Sequence, residues 1–131
     1  MTKRIIIGRA LKVSPEELVT LPWRKDDQGN VVEVRVTQHM YDSLCLLRPA
    51  LKEVARQSTT ITYGKACEVM SAYSPQGTGD LMDVLSVECQ RRGEPSLASL
   101  VVRKDTGEVG YAFSGDPARA RRECYAFWRG R

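Results

Sequence analysis

Apolar residues recur at helical spacing from Gln38 to Gln57: Met40, Leu44, Leu47, Leu51 and Val54 follow one another at steps of four, three, four and three. A stripe of this kind commits one face of a long helix to burial, so the rest of the chain must supply elements that cover it. Pro49 stands inside the stripe. A proline within a helix forfeits the hydrogen bond to the carbonyl four residues back, here that of Cys45, so the helix is expected to kink or to split in two. Ser58-Thr59-Thr60 ends it. The chain has 131 residues, 42% hydrophobic and 27% charged, a balance that fits one globular domain with a core needing no disulfide or metal.

The flanking segments are punctuated by caps and turns. Arg4–Ile7 reads as a short strand, and Ser14-Pro15-Glu16-Glu17-Leu18 as a helix start with capping-box spacing, kept short by Pro22. Val32, Val34 and Val36 alternate with Val31, Glu33 and Arg35 after a Gly29-Asn30 turn, which predicts a hairpin with the segment around Trp23-Arg24-Lys25. Thr62 caps a helix from Tyr63 to near Ser71, and Ala72–Gly77 is a loop. A third helix runs from about Thr78 to Arg92, with Gly93 beyond its end and Pro95 barring continuation. Leu97–Arg103 reads as a strand, Lys104-Asp105-Thr106-Gly107 as a turn and Glu108–Phe113 as the return strand. Asp116 and Pro117 open a final helix carrying Ala120, Cys124, Phe127 and Trp128. The order from residue 38 onward is helix, helix, helix, hairpin, helix. The expected fold is therefore α+β: a winged helix-turn-helix-like domain over residues 38–131 with an added C-terminal helix, and a strand–helix–hairpin extension over residues 1–37 packed onto it. Leu44, Leu47, Leu51 and Val54 should meet Leu81, Leu85, Leu100 and Val102 in its core.

Charge is placed unevenly. The net charge is +4, but residues 1–13 hold four cations and no acid, residues 116–131 hold five arginines against two acids, and the middle is acidic. Basic ends suit a polyanionic partner. No apolar run approaches a membrane span, and the three isoleucines after Lys3-Arg4 are too few for a signal peptide, so a cytoplasmic protein is expected. Cys45, Cys67, Cys89 and Cys124 form no CxxC pair and lie in apolar surroundings, and His39 is the single histidine. Buried thiols, rather than metal ligands or a Cys–His nucleophile, are the expectation, with no cofactor.

One segment goes beyond topology. Ile61-Thr62-Tyr63-Gly64-Lys65-Ala66-Cys67 resembles the Thr-Tyr-Gly motif that opens the second helix of the winged-helix domain in DNA alkyltransferases and alkyltransferase-like proteins. The resemblance spans residues 38–113, with Pro95–Val102 and Thr106-Gly107 in place of that family's strand and turn. It implies DNA binding by a winged helix. It does not extend to chemistry, because the family's Pro-Cys-His-Arg stretch is missing: no Cys or His lies between residues 90 and 123. The family's Ala-Arg-Ala-Val-Gly stretch is replaced by Gly77-Thr78-Gly79-Asp80-Leu81-Met82. The chain is also similar to small bacterial and phage proteins that pair a Tyr-Gly helix start with a Gly-x-Pro-x-Leu-x-x-Leu-Val-Val segment, a similarity that carries no function.

The remaining motifs favour structure over catalysis. Gly77-x-Gly79 lacks the third glycine and preceding strand of a nucleotide fingerprint. Asp80 and Asp83 share a helix face, yet carboxylates in a first helical turn usually complement the dipole. Phe127 and Trp128 suit anchors of the terminal helix better than stacking platforms. The expected function is non-catalytic binding of double-stranded DNA. The helix from Thr78 would lie against a groove with Thr78, Met82, Ser86 and Gln90 as an exposed row. Arg103 and Lys104 on the wing would contact phosphates, joined by Lys65 and by Arg119, Arg122 and Arg129. Asp80 and Asp83 oppose tight readout unless turned away. The alternative is a protein-interaction module, a winged helix whose surface binds a host or partner protein without nucleic acid; the acidic middle of the chain supports it.

Overall fold

The computed structural model describes residues 11–71, 78–110, 113 and 115–131. The expected strand at residues 4–7 and loop at 72–77, and part of the expected return strand, lie outside them. The fold is α+β. Strands β1 (Leu18–Lys25) and β2 (Val31–Arg35) form an antiparallel hairpin, followed by α1 (Gln38–Arg56), β3 (Ile61–Thr62), α2 (Tyr63–Met70), α3 (Gly79–Arg92), a 3-10 helix (Leu97–Leu100), β4 (Val101–Val102) and α4 (Pro117–Trp128).

The hairpin register pairs Val19 with Val34 and Leu21 with Val32, then slips before Lys25 meets Val31. Pro22 stands within that irregularity, where a residue without an N–H is tolerated. Asp26 closes the turn: its carboxylate accepts from the Gln28 and Asn30 amides at 2.9 Å, and Gly29 takes φ +83°. The alternation holds, with Val34 and Val36 buried and Val31, Glu33 and Arg35 exposed.

Helix α1 is the hub. Thr37 caps it by accepting from the Met40 amide, and it packs on α2, α3, α4 and the 3-10 helix. It runs through Pro49 as one helix, so the expected split does not occur. Leu44, Leu47 and Leu51 on its inner stripe are fully buried. Full burial of a leucine stabilises by roughly 1.5–3 kcal/mol, enough to offset one missing backbone bond. Val54 is only partly buried, while Leu81, Leu85, Leu100 and Val102 join the core as expected.

Local chemistry sets the other helix ends. Thr62 accepts from the Lys65 amide and Asp116 from the Ala118 and Arg119 amides, with Pro117 in the first turn. Gly93 leaves α3 at φ +74°, a left-handed conformation that glycine adopts without strain.

Three expectations are corrected. Ser14–Glu17 is a turn that leads into β1, not the expected helix start. The Ser14 amide does bond the Glu17 carboxylate at 2.9 Å, but Glu16 turns to φ +70° and the chain enters β1. Leu97–Leu100 is a 3-10 helix rather than the expected strand, with all four residues buried and Ser99 bonded back to Ser96 through both its amide and its hydroxyl. Val101–Val102 continues it as a strand that pairs in parallel with Ile61–Thr62. Finally, Glu108–Gly110 is not a strand. The return is a tight turn, with Gly107 N bonded to Arg103 O at 2.8 Å and Arg103 N to Glu108 O at 2.7 Å.

Candidate functional site

Parallel pairing of β3 with β4 brings the start of α2 beside the segment that leads into Arg103 and Lys104. The start of α3 reaches the same place. Thr62, Tyr63 and Gly64 from one helix start, Thr78 and Gly79 from the other, and Arg103, Lys104, Asp105 and Gly110 opposite them line an open cleft of about 900 Å³. First-turn amides have no partner within their own helix, and both helices direct the positive ends of their dipoles to this region. Among the described residues, a Cβ added at Gly64 or Gly79 would meet nothing within 4 Å, and neither residue has a positive φ. Packing against the described residues therefore does not demand glycine at either position. What the missing side chain provides is bare backbone at the cleft wall.

Arg103 is held by Asp105, with Nε and Nη2 at 3.2 and 3.0 Å from the carboxylate oxygens. This bond is the main reason the Asp105 carboxyl lies below its ordinary range. Both side chains are more than half exposed, so solvent screens the pair and an anion can compete for the guanidinium. Lys104 is exposed on the same turn.

A second hollow of about 240 Å³ adjoins the cleft and shares Tyr63, Gly79 and Gly110 with it. The Tyr63 hydroxyl accepts from the Gly110 amide at 3.1 Å, and a Cβ at Gly110 would crowd that oxygen. Met82, Ala98, Val109 and Phe113 form apolar wall, while Arg24, Asp80, Asp83 and Ser86 supply the polar part. Arg24 Nη1 bonds Asp80 at 2.9 Å and Asp83 at 2.7 Å, and Trp23 Nε1 bonds Asp83 at 3.3 Å. Donation to Asp80 and then to Asp83 raises the Arg24 pKa, while burial raises that of Asp83 despite the guanidinium. The two carboxylates thus answer to the hairpin's arginine.

The predicted contact residues separate. Thr78, Arg103 and Lys104 meet in the cleft. Lys65 is exposed in the first turn of α2 but does not line it. The exposed row proposed for α3 is overturned: every residue from Leu81 to Cys89 is buried, Thr78 is buried too, and only Gln90 of the row is exposed. Ser86 is held by Ser96, hydroxyl to hydroxyl at 2.9 Å. The hairpin packs along α3, and Arg91 binds Glu17 and the Lys12 carbonyl, so this helix cannot lie sideways in a groove. Arg119 and Arg122 on α4 and Arg129 at its C-cap are exposed outside the cleft, with Arg119 paired to Glu123. Arg121, which was not singled out, ties α4 to Ser99 O at 3.0 Å and lies 3.6 Å from Glu108 beside the turn.

Burial pushes the Cys89 thiol up to about 12 and that of Cys124 to about 11, and raises Cys45 and Cys67 as well. Thiols so shifted are poor nucleophiles at neutral pH. Phe127 and Trp128 anchor α4: their rings meet edge to face at 4.9 Å, and the Trp128 indole is buried under Lys52. Sequence reading missed the roles of Gly64, Tyr63 and Gly110. The Thr62-Tyr63-Gly64 motif was the available signal, whereas Arg24 gave none, since its partners lie 56 and 59 residues away. No helix among the described residues is long and apolar enough to cross a membrane. No protein-family model, curated protein or solved structure matches the chain.

Proposed function

We propose that the chain is a non-catalytic DNA-binding protein that grips the phosphate backbone of a duplex in the cleft between the starts of α2 and α3 and the Arg103–Lys104 turn. The observation that carries this reading is the convergence of two helix starts, each with a glycine that packing against the described residues does not require, on two exposed cations. Backbone amides at helix starts suit phosphate oxygens, and Arg and Lys add charge. Helix α3 presents its end rather than its side, so the contact positions the protein without reading bases. In this view α1, α2 and α3 correspond to the helices of a winged-helix-related domain, and the Arg103–Gly107 turn takes the wing's place. The Arg24 clamp on Asp80 and Asp83 supports the reading by offsetting part of the negative charge beside the cleft.

Arg103→Glu with Lys104→Glu tests it. Both residues lie outside the core, so the melting temperature should hold. Duplex affinity at low salt should fall sharply for any sequence, and the salt slope should lose about two phosphate contacts, near 0.9 each. Wild-type protein without salt-dependent binding near 50 mM salt would sink the proposal. Salt-indifferent capture of one protein would favour the partner-protein alternative.

A further inference from the structure

A second cationic hollow lies apart from the cleft. It measures about 230 Å³ and is lined by Leu11, Cys45, Arg48, Pro49, Lys52 and Arg92. Cys45, Arg48, Pro49 and Lys52 fall at steps of three, one and three along α1 and so share a helix face. Arg92 arrives from the end of α3. Arg48 is fixed by Glu88 at 3.2 Å and by Glu94 at 2.5 Å, and Arg92 by Glu88. Lys52 differs: among the described residues no carboxylate pairs with it. Its ammonium is instead seated on the Trp128 ring at 4.9 Å, with the Arg48 and Arg56 guanidinia at 5.8 and 6.0 Å from the same ring. Burial and then the neighbouring guanidinia of Arg48 and Arg56 depress the Lys52 pKa, and Glu94 only partly compensates. Three cations line the hollow, and among the described residues Glu88 and Glu94 hold Arg48 and Glu88 holds Arg92, while no carboxylate pairs with Lys52.

We propose that this hollow is an anion site for a phosphate dianion, free or at the end of a small phosphomonoester. The Lys52 ammonium, whose seat over the indole leaves its donors available, contacts the oxyanion directly, while Arg48 and Arg92, held by Glu88 and Glu94, add positive field around it. Leu11 and Pro49 provide apolar wall beside the charge, which suits a compact ligand with a small organic part. The site is independent of the DNA cleft: it shares no lining residue with it.

The test is titration of the full chain with inorganic phosphate, against sodium chloride at equal ionic strength. Calorimetry and the two indole N–H signals in a nitrogen-15 spectrum provide the readouts. Trp128 should shift saturably with phosphate, while Trp23, bonded to Asp83, should stay still. Lys52→Gln should weaken phosphate binding roughly tenfold, the effect of losing one charge-assisted contact. Lys52→Arg should retain it, and Arg103→Glu with Lys104→Glu should leave it unchanged. The proposal is overturned if phosphate does no more than chloride or if Lys52→Gln binds as well as wild type. It also fails if the Arg103 and Lys104 double variant abolishes binding, since phosphate would then belong to the cleft. A duplex that displaces phosphate, and whose own affinity falls in Lys52→Gln, would reassign the hollow to nucleic acid and overturn it as well. A failure here leaves the cleft proposal standing, because that rests on Arg103 and Lys104.

Discussion

The two ends of α3 handle charge in opposite ways. At the C-terminal end, Glu88 is fully buried and accepts from the Lys12 amide, Arg48 and Arg92, so three parts of the chain meet on one carboxylate. At the N-terminal end, Thr78 and Gly79 face an open cleft whose cations are exposed and held at most by an exposed acid. Burial with complete pairing fixes structure, because removing any one member leaves an uncompensated charge. Exposure with weak pairing leaves charge for a ligand. Arg24 stands between these regimes. It is less than one-third exposed, and it bridges the buried Asp83 and the exposed Asp80 with one positive charge.

The strongest way to break the comparison is Glu88→Leu, which keeps bulk and removes the acceptors. Arg48, Arg92 and the Lys12 amide would lose their shared partner, and unfolding free energy should fall by about 3–5 kcal/mol. Urea denaturation measures it. Protein that remains folded should still bind duplex DNA with wild-type affinity. A loss under about 1 kcal/mol would mean that Glu88 is not the keystone drawn here.

Arg24→Ala probes the intermediate case. Among the described residues, Asp83 would be left buried with Trp23 as its one side-chain donor, costing about 1–3 kcal/mol at neutral pH. Its pKa, already raised by burial, should rise further without the guanidinium. A protonated Asp83 needs no cation, so the cost should shrink as pH falls. The freed Asp80 and Asp83 charges beside the cleft should also weaken DNA binding at low salt. Wild-type affinity in a folded Arg24→Ala protein would show that the clamp has no electrostatic role there.

What was legible in the sequence is what local chemistry decides. Thr62, Asp116 and Gly93 mark helix ends through bonds to neighbouring backbone, and the Val32–Val36 alternation marks a half-buried strand. The Ser14–Glu17 bond also formed, yet no helix followed, because pairing of Leu18–Lys25 with Val31–Arg35 depends on residues further along. Pro49 did not divide α1, because helices distant in sequence bury Leu47 and Leu51 on both sides of it. The larger misreading concerned α3. The row Thr78, Met82, Ser86 and Gln90 was expected to be wet, but Thr78, Met82 and Ser86 are buried, and the helix's polar side chains find partners at long range or past the helix end: Asp83 with Arg24, Ser86 with Ser96 and Glu88 with Arg48. Of the cleft, Arg103 and Lys104 were visible as a basic turn. Their approach to two helix starts was not, since it depends on the two-residue parallel pairing of β3 with β4.

The gentlest probe lies on the strap that closes the C-terminal end of α3. Glu17 pairs with Arg91 at 2.7 Å, in a partly exposed setting. The hydrogen bond from Arg91 is the main cause of its lowered pKa; burial opposes it, and the Ser14 amide adds to it. A depressed carboxylate pKa contributes stability above the unfolded value, about 4.3 for glutamate, and loses it as pH falls through the folded value. Glu17→Gln should therefore cost less than about 1 kcal/mol at pH 7, and the gap from wild type should close as the solution is acidified below about pH 4. High salt should narrow the same gap at neutral pH, because the pair is within reach of solvent ions. The Glu88→Leu deficit should resist salt, since no solvent reaches that carboxylate. Urea titrations of both variants from pH 3 to pH 7, at low and high salt, separate the two behaviours. A Glu17→Gln gap that persists unchanged at pH 3 would show that Glu17 acts through packing rather than charge, and the strap would then belong with the buried end of α3.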